Sequence, residues 1–226
     1  KGFIPKAIIA PHAGYIYSGE IAANAYQLLD NLTSSISRVV LLSPTHYYPF
    51  NSIAMSSADY FKTPLGDIEL DKEAIEKLMM SEKATILDEV FEQEHALEVH
   101  LPFFQFKLIN FKLIPLVIGQ VSPEKVIPIF EILDSQDTLF VVSSDLSHFH
   151  DYPTCQRIDA QTTAAFEKLD FNKVHHDNAC GYYPLGGLFL WAKKIGLTLK
   201  TIDLRNSGDT AGEKDRVVGY GAYVLY

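Results

Sequence analysis

Cys155 and Cys180 are the only cysteines in the sequence. Two cysteines do not make a disulfide framework, so a reducing cytoplasm is the expected setting. Basic blocks are missing too: 19 Lys and Arg against 28 Asp and Glu give a net charge of −9. Neither nucleic acid nor an anionic membrane surface is therefore an expected partner. No apolar run is long enough to span a bilayer, and no signal peptide is evident. Repeats, low-complexity tracts and linkers are also absent, which points to one domain over residues 1–226. The chain opens at Lys1 and is almost at once in an apolar run, so a preceding segment is expected to have been lost or trimmed. The rest is ordinary for a well-packed globular protein, with 47% hydrophobic and 21% charged residues.

Within this composition one local pattern recurs. A short apolar run, a small or helix-breaking residue and then a histidine occur at Ala7-Ile8-Ile9-Ala10-Pro11-His12. The pattern returns at Val39-Val40-Leu41-Leu42-Ser43-Pro44-Thr45-His46, and again from Leu139 through Ser143-Ser144-Asp145 to His148. Continuous β-branched runs bounded by Pro, Ser and Gly read as buried strands of a largely parallel sheet. Ligands of such sheets lie beyond the carboxyl ends of the strands. The pattern therefore predicts a single α/β domain with a central, mainly parallel or mixed sheet and helices on both faces. It also predicts that His12, His46 and His148 share one edge of that sheet.

Ser18 is a candidate cap for the first helix, whose apolar positions Ile21, Ala22, Ala25, Tyr26 and Leu29 fall at helical spacing. Further helices are expected over 71–80, with Asp71 as cap, and over 123–133, 153–169 and 188–195. Strands are expected over 38–43, 53–55, 68–70, 111–118, 198–204 and 217–225. Pro115 hints that its strand lies at an edge or carries a bulge. The acidic turn Glu94-His95-Ala96-Leu97-Glu98-Val99-His100 sets His95 beside Glu98 at i, i+3, a pairing by which carboxylates orient a site. Glu94 suits a solvated acidic face, and His100 lies off the face shared by Glu94 and Glu98. His175 and His176 read as a surface turn. Cys180 just before a helix start is placed where a thiolate is favoured, although a buried core thiol is about as common. The connection 206–212 suits either a site rim or a hairpin loop.

Taken in order, Pro11-His12-Ala13-Gly14-Tyr15, Ser43-Pro44-Thr45-His46, the segment from Glu94 to Pro102, Ser143-Ser144-Asp145-Leu146-Ser147-His148 and Cys180-Gly181 resemble the Memo family. Ser207-Gly208-Asp209 and Val217-Val218-Gly219-Tyr220 resemble its bacterial and archaeal members, and the match runs from Ala7 to the end. The Ser-Trp-Tyr motif near the start of that family is missing, which implies truncation or a short variant without an N-terminal helix. The resemblance implies a fold similar to class III extradiol dioxygenases, which hold non-haem Fe(II) by two histidines and a carboxylate. It makes His12 and His46 the imidazole ligands and Cys180 the third. It makes His148 the acid/base group with Asp145 beside it, and His95 joins these as a catalytic candidate. Members of the family are described as metal-binding redox proteins and, in animals, as signalling adaptors.

Two imidazoles and a thiolate leave a coordination position open for chemistry. Iron(II) is the expected metal, with copper or zinc as the other ions such donors suit. Asp145 reads as an orienter of a histidine, and His148 is of the right type for proton transfer near neutral pH. Tyr15, Tyr17, Tyr47 and Tyr48 would line the mouth, where a small molecule or a peptide is the expected ligand. Three functions follow. They are an iron-dependent oxidoreductase on a small substrate (a phenol among the candidates), a zinc-type hydrolase, and a non-catalytic adaptor using the same pocket.

Overall fold

Residues 7–10, 39–42, 113–118 and 139–142 are buried one after another, which a strand achieves only with cover on both faces. In the computed structural model, which describes residues 4–226, these runs form the middle of one large sheet. The chain runs through β1 (Ala7–Ala10), α1 (Tyr15–Tyr26), β2 (Arg38–Pro44), β3 (Ile53–Met55), β4 (Tyr60–Thr63), β5 (Gly66–Glu69), α2 (Lys72–Met80) and β6 (Thr85–Ile86). It continues through α3 (His95–Glu98), α4 (Leu101–Lys107), β7 (Lys112–Ile118), α5 (Pro123–Leu133), β8 (Thr138–Ser143), β9 (His148–His150) and α6 (Tyr152–Glu167). It closes with α7 (Tyr182–Ile195), β10 (Leu199–Asn206) and β11 (Val217–Leu225).

The sheet order is β10-β11-β1-β8-β2-β7-β3-β6. Its centre, β1-β8-β2-β7, is parallel, while β11 and β3 join it antiparallel. The α/β class with a mixed, mainly parallel centre is therefore as expected. β4 and β5 form a separate hairpin, and Asp71 caps α2 by accepting the Ala74 N–H at 3.0 Å.

Several local expectations need correction. Ser18 lies inside α1, whose cap position is Gly14, and its hydroxyl donates back to the Ala13 carbonyl at 2.9 Å. Pro115 belongs to an inner strand. The β3 ladder ends at Leu116, one residue past Pro115, so a missing N–H on that side removes no strand pairing. α7 starts six residues earlier than its apolar run suggests and includes Gly186 and Gly187. A Cβ at Gly187 would lie 2.4 Å from Cβ of Val126, and one at Gly186 2.7 Å from Cγ of Pro123. These glycines let α7 pack directly on α5. Below that contact Phe130, Phe140 and Trp191 form a ring cluster with centroids 5.0 to 5.2 Å apart, each burial contributing about 1.5–3 kcal/mol.

Candidate metal centre

His12 follows the end of β1 and His46 the end of β2, with β8 between those strands ending in Ser143. Because the three strands are parallel, their carboxyl ends open on one edge. His12 is buried. Its Nδ1 is 2.7 Å from Oγ of Ser143, and its Nε2 is 3.5 Å from Sγ of Cys180 and 3.8 Å from Oδ2 of Asp145. Burial, followed by the neighbouring His46 and His95, holds its pKa well below the ordinary range, so the ring is neutral.

His46 is tied back by Glu94. Its backbone N–H reaches Oε2 at 2.7 Å and its Nδ1 reaches Oε1 at 2.8 Å. The same carboxylate caps α3 through the Ala96 N–H at 3.0 Å. Burial alone would raise the Glu94 pKa, but the hydrogen bonds from His46 and Ala96 outweigh it and hold the group below the usual range. An ionised carboxylate on Nδ1 leaves Nε2 of His46 as the free donor. The solvated role expected for Glu94 is thus overturned, since only 6% of it is exposed. The carboxylate–histidine pair is Glu94 with His46, while Glu98 is exposed.

His95 opens α3, its ring stacked on His46 at 4.9 Å and 5.6 Å from His12. One ring nitrogen from each of His12, His46 and His95 lies within 4.8 Å of the other two. A tetrahedral ion about 2.0–2.1 Å from its nitrogens spaces them about 3.4 Å apart, so modest side-chain rotations close this trio on an ion. The donor set therefore fits a transition metal.

Cys180 stands beside the trio. Its sulfur accepts the Asp145 N–H at 3.1 Å. A Cβ on the next residue, Gly181, would lie 2.6 Å from Cβ of Ser144, so only glycine lets Cys180 come this close to the end of β8. Burial, then Asp145, pushes the thiol pKa up. A thiolate favoured by the helix terminus is accordingly not the resting state, and the sulfur stays protonated until an ion displaces the proton.

Asp145 accepts the backbone N–H of His12 at 2.8 Å, and burial raises its pKa. Its hydrogen bonds go to that backbone, and among the described residues none goes to the ring of His148. His148 is half-buried on β9, which pairs with β11 through a shift in register. The extra residue is Phe149, at φ 64 with the Arg216 guanidinium 4.4 Å above its ring. A bulge of this kind re-aims side chains and turns His148 and His150 to opposite faces. His148 shares a cavity of about 320 Å³ with His46, Cys180, Gln120, His176 and Tyr183. His176, read as surface turn, packs its ring on Tyr182 and Tyr183 at 5.5 and 5.6 Å and so reaches that cavity. Of the four tyrosines expected at the mouth, all of them exposed, Tyr47 reaches the trio, 6.0 Å from His95, while the Tyr15 hydroxyl donates to the Val99 carbonyl at 3.0 Å.

His100 carries no site role in the sequence pattern, yet it is fully buried behind His12. Its Nε2 is 2.8 Å from Oγ of Ser143 and its Nδ1 2.7 Å from the Tyr26 hydroxyl. Burial brings its pKa down from 6.5 to about 3. In that window the unfolded chain binds the extra proton. This stability is therefore complete above about pH 6.5 and is lost as pH falls towards 3, by up to about 1.4 kcal/mol per pH unit. Urea unfolding at a series of pH values should show that slope, reduced in His100→Gln. An unchanged slope in the variant would contradict the assignment.

A model of the family described as Memo-like protein matches residues 1–224. The chain belongs to the Memo family. A MEMO1 family protein of Aquifex aeolicus is 36% identical, the match covering 96% of this chain and 84% of that protein. One from Methanosarcina barkeri is 32% identical, covering 96% and 85%. Among solved structures, an uncharacterized protein of Escherichia coli K12 aligns with a TM-score of 0.61 at 12% identity, covering 96% of this chain and 98% of that one. At that identity the likeness shows a shared fold alone. No helix among the described residues of this Memo protein is long and apolar enough to cross a membrane.

Proposed function

We propose that this Memo protein binds one transition-metal ion at His12 and His46 and acts as a non-haem iron-dependent oxidoreductase on a small substrate in the cytoplasm. The observation that carries the reading is the convergence of three imidazoles within 4.8 Å, two of them tied back through Nδ1 to Ser143 and Glu94. Imidazoles held from behind are prepared donors. Ferrous iron bound by such donors with positions left open supplies redox chemistry towards dioxygen. His95 and Cys180 are the two candidates for the third donor. The cavity of about 320 Å³ beside them takes a small molecule or one peptide side chain. His148 on its wall moves a proton to or from that ligand, while Asp145 positions the backbone of His12. The all-imidazole trio also favours a second reading, a zinc-type hydrolase, since three histidines and an open position suit zinc.

Metal analysis of protein purified without oxygen should find one iron per chain, absent from a variant with both His12→Ala and His46→Ala. Glu94→Gln should weaken binding by about 10- to 100-fold, because the group that orients His46 is lost. Stoichiometric metal surviving the double replacement would remove the site, and zinc in place of iron would transfer the reading to the hydrolase.

A further inference from the structure

Ser143 is the last residue of β8 and is fully buried. Its Oγ stands at the meeting point of three polar groups: the Ala96 carbonyl at 2.7 Å, Nδ1 of His12 at 2.7 Å and Nε2 of His100 at 2.8 Å. A hydroxyl has one proton and two lone pairs, and a carbonyl oxygen only accepts. The serine proton therefore goes to Ala96, since otherwise two buried oxygens would face each other without one. Both histidine nitrogens must then be the donors. His12 carries its proton on Nδ1, and His100 carries its own on Nε2. The remaining nitrogen of His100 is an acceptor, and the Tyr26 hydroxyl, 2.7 Å away, donates to it. One arrangement of protons satisfies all four contacts.

We propose that Ser143 is a positioning residue that fixes His12 in its Nδ1–H tautomer, with His100 and Tyr26 locking the serine hydroxyl from the other side. The consequence is that Nε2 of His12 is bare and turned to the site, on the side of Cys180. The same serine grips α3, the helix that carries His95, through the Ala96 carbonyl. One buried hydroxyl thus sets the register between two of the converging imidazoles. The value of this lock for metal binding rests on the proposed metal site, but the tautomer itself does not.

Nitrogen-15 NMR of the histidine rings, on metal-free wild-type protein, tests the assignment without any substitution. The expected spectrum has His12 protonated at Nδ1 and His100 at Nε2, each as one tautomer. His12 protonated at Nε2, or exchanging between both forms, would overturn it. In Ser143→Ala the His12 ring should become a mixture of tautomers, and zinc(II), used as the probe ion, should bind about 10-fold more weakly or worse. An unchanged tautomer and unchanged zinc affinity in that variant would equally overturn it. His100→Gln retains a donor towards Ser143 and an acceptor for Tyr26 and should preserve the single tautomer, whereas His100→Leu should not. If the wild-type protein shows the expected tautomers but takes up no zinc or iron, the lock stands and the metal reading falls.

Discussion

Replacing His148 by alanine should lower turnover by about 10²- to 10⁴-fold, the range of one general acid or base, while metal content stays at the wild-type level. The imidazole lines the cavity with His46 and Cys180 but lies outside the trio of converging ring nitrogens. A histidine in that position reaches a ligand in the cavity without being needed to hold an ion. Its place depends on the bulge at Phe149, so the ring is aimed by backbone geometry and not by a carboxylate partner. Asp145→Asn should for that reason not reproduce the loss, because Asp145 bonds the backbone of His12. Metal content and turnover measured side by side decide the matter. Loss of metal in His148→Ala would make it a ligand, and unchanged turnover would make it structural.

A single methyl group at Gly219 should destabilise the fold by about 3 kcal/mol, combining overpacking with a broken buried hydrogen bond. The new Cβ would stand 1.8 Å from Oδ2 of Asp159. That carboxyl is only 2% exposed, accepts the Ser147 N–H at 3.1 Å and takes the Cys155 S–H at 3.0 Å. Gly219 is itself fixed, its N–H donating to the Ser147 carbonyl and its carbonyl accepting from Leu146, both at 2.8 Å. Either β11 swings away or the carboxyl leaves, and the loop that carries His148 loses an anchor in both cases. Urea unfolding of Gly219→Ala, Asp159→Ala and the double variant forms the test. The clash predicts a double variant clearly more stable than the sum of the two losses, whereas simple additivity would exclude it.

The strand–histidine pattern was readable because a buried parallel strand must be apolar at every position and must end where the site begins. That placed His12 and His46 on one edge, and the family motifs agreed with it. What stayed hidden depends on contacts distant in the chain. Glu94 looks like a solvated acid when only its own helix is considered, yet its partner is His46, across the site. His100 lies off the Glu94–Glu98 face, and only packing against β8 shows that it faces Ser143. Gly186 and Gly187 punctuate a sequence as a loop would, whereas here they are spacers between two helices. β9 is too short, and too dependent on β11, to leave a periodic trace.

The pairing of β1 has a consequence for how the protein comes into being. One edge of β1 is held by β8 and the other by β11, with Ala7 opposite Leu225. A growing polypeptide presents β1 well before β11, so the strand that carries His12 to the site waits for its second neighbour until residues 217–225 have been made. Contacts of such long sequence separation form slowly. Cys180 likewise follows His12 by 168 residues. The second edge of β1 is therefore closed only after residues 217–225 have left the ribosome, and until then the strand behind His12 is held by β8 alone.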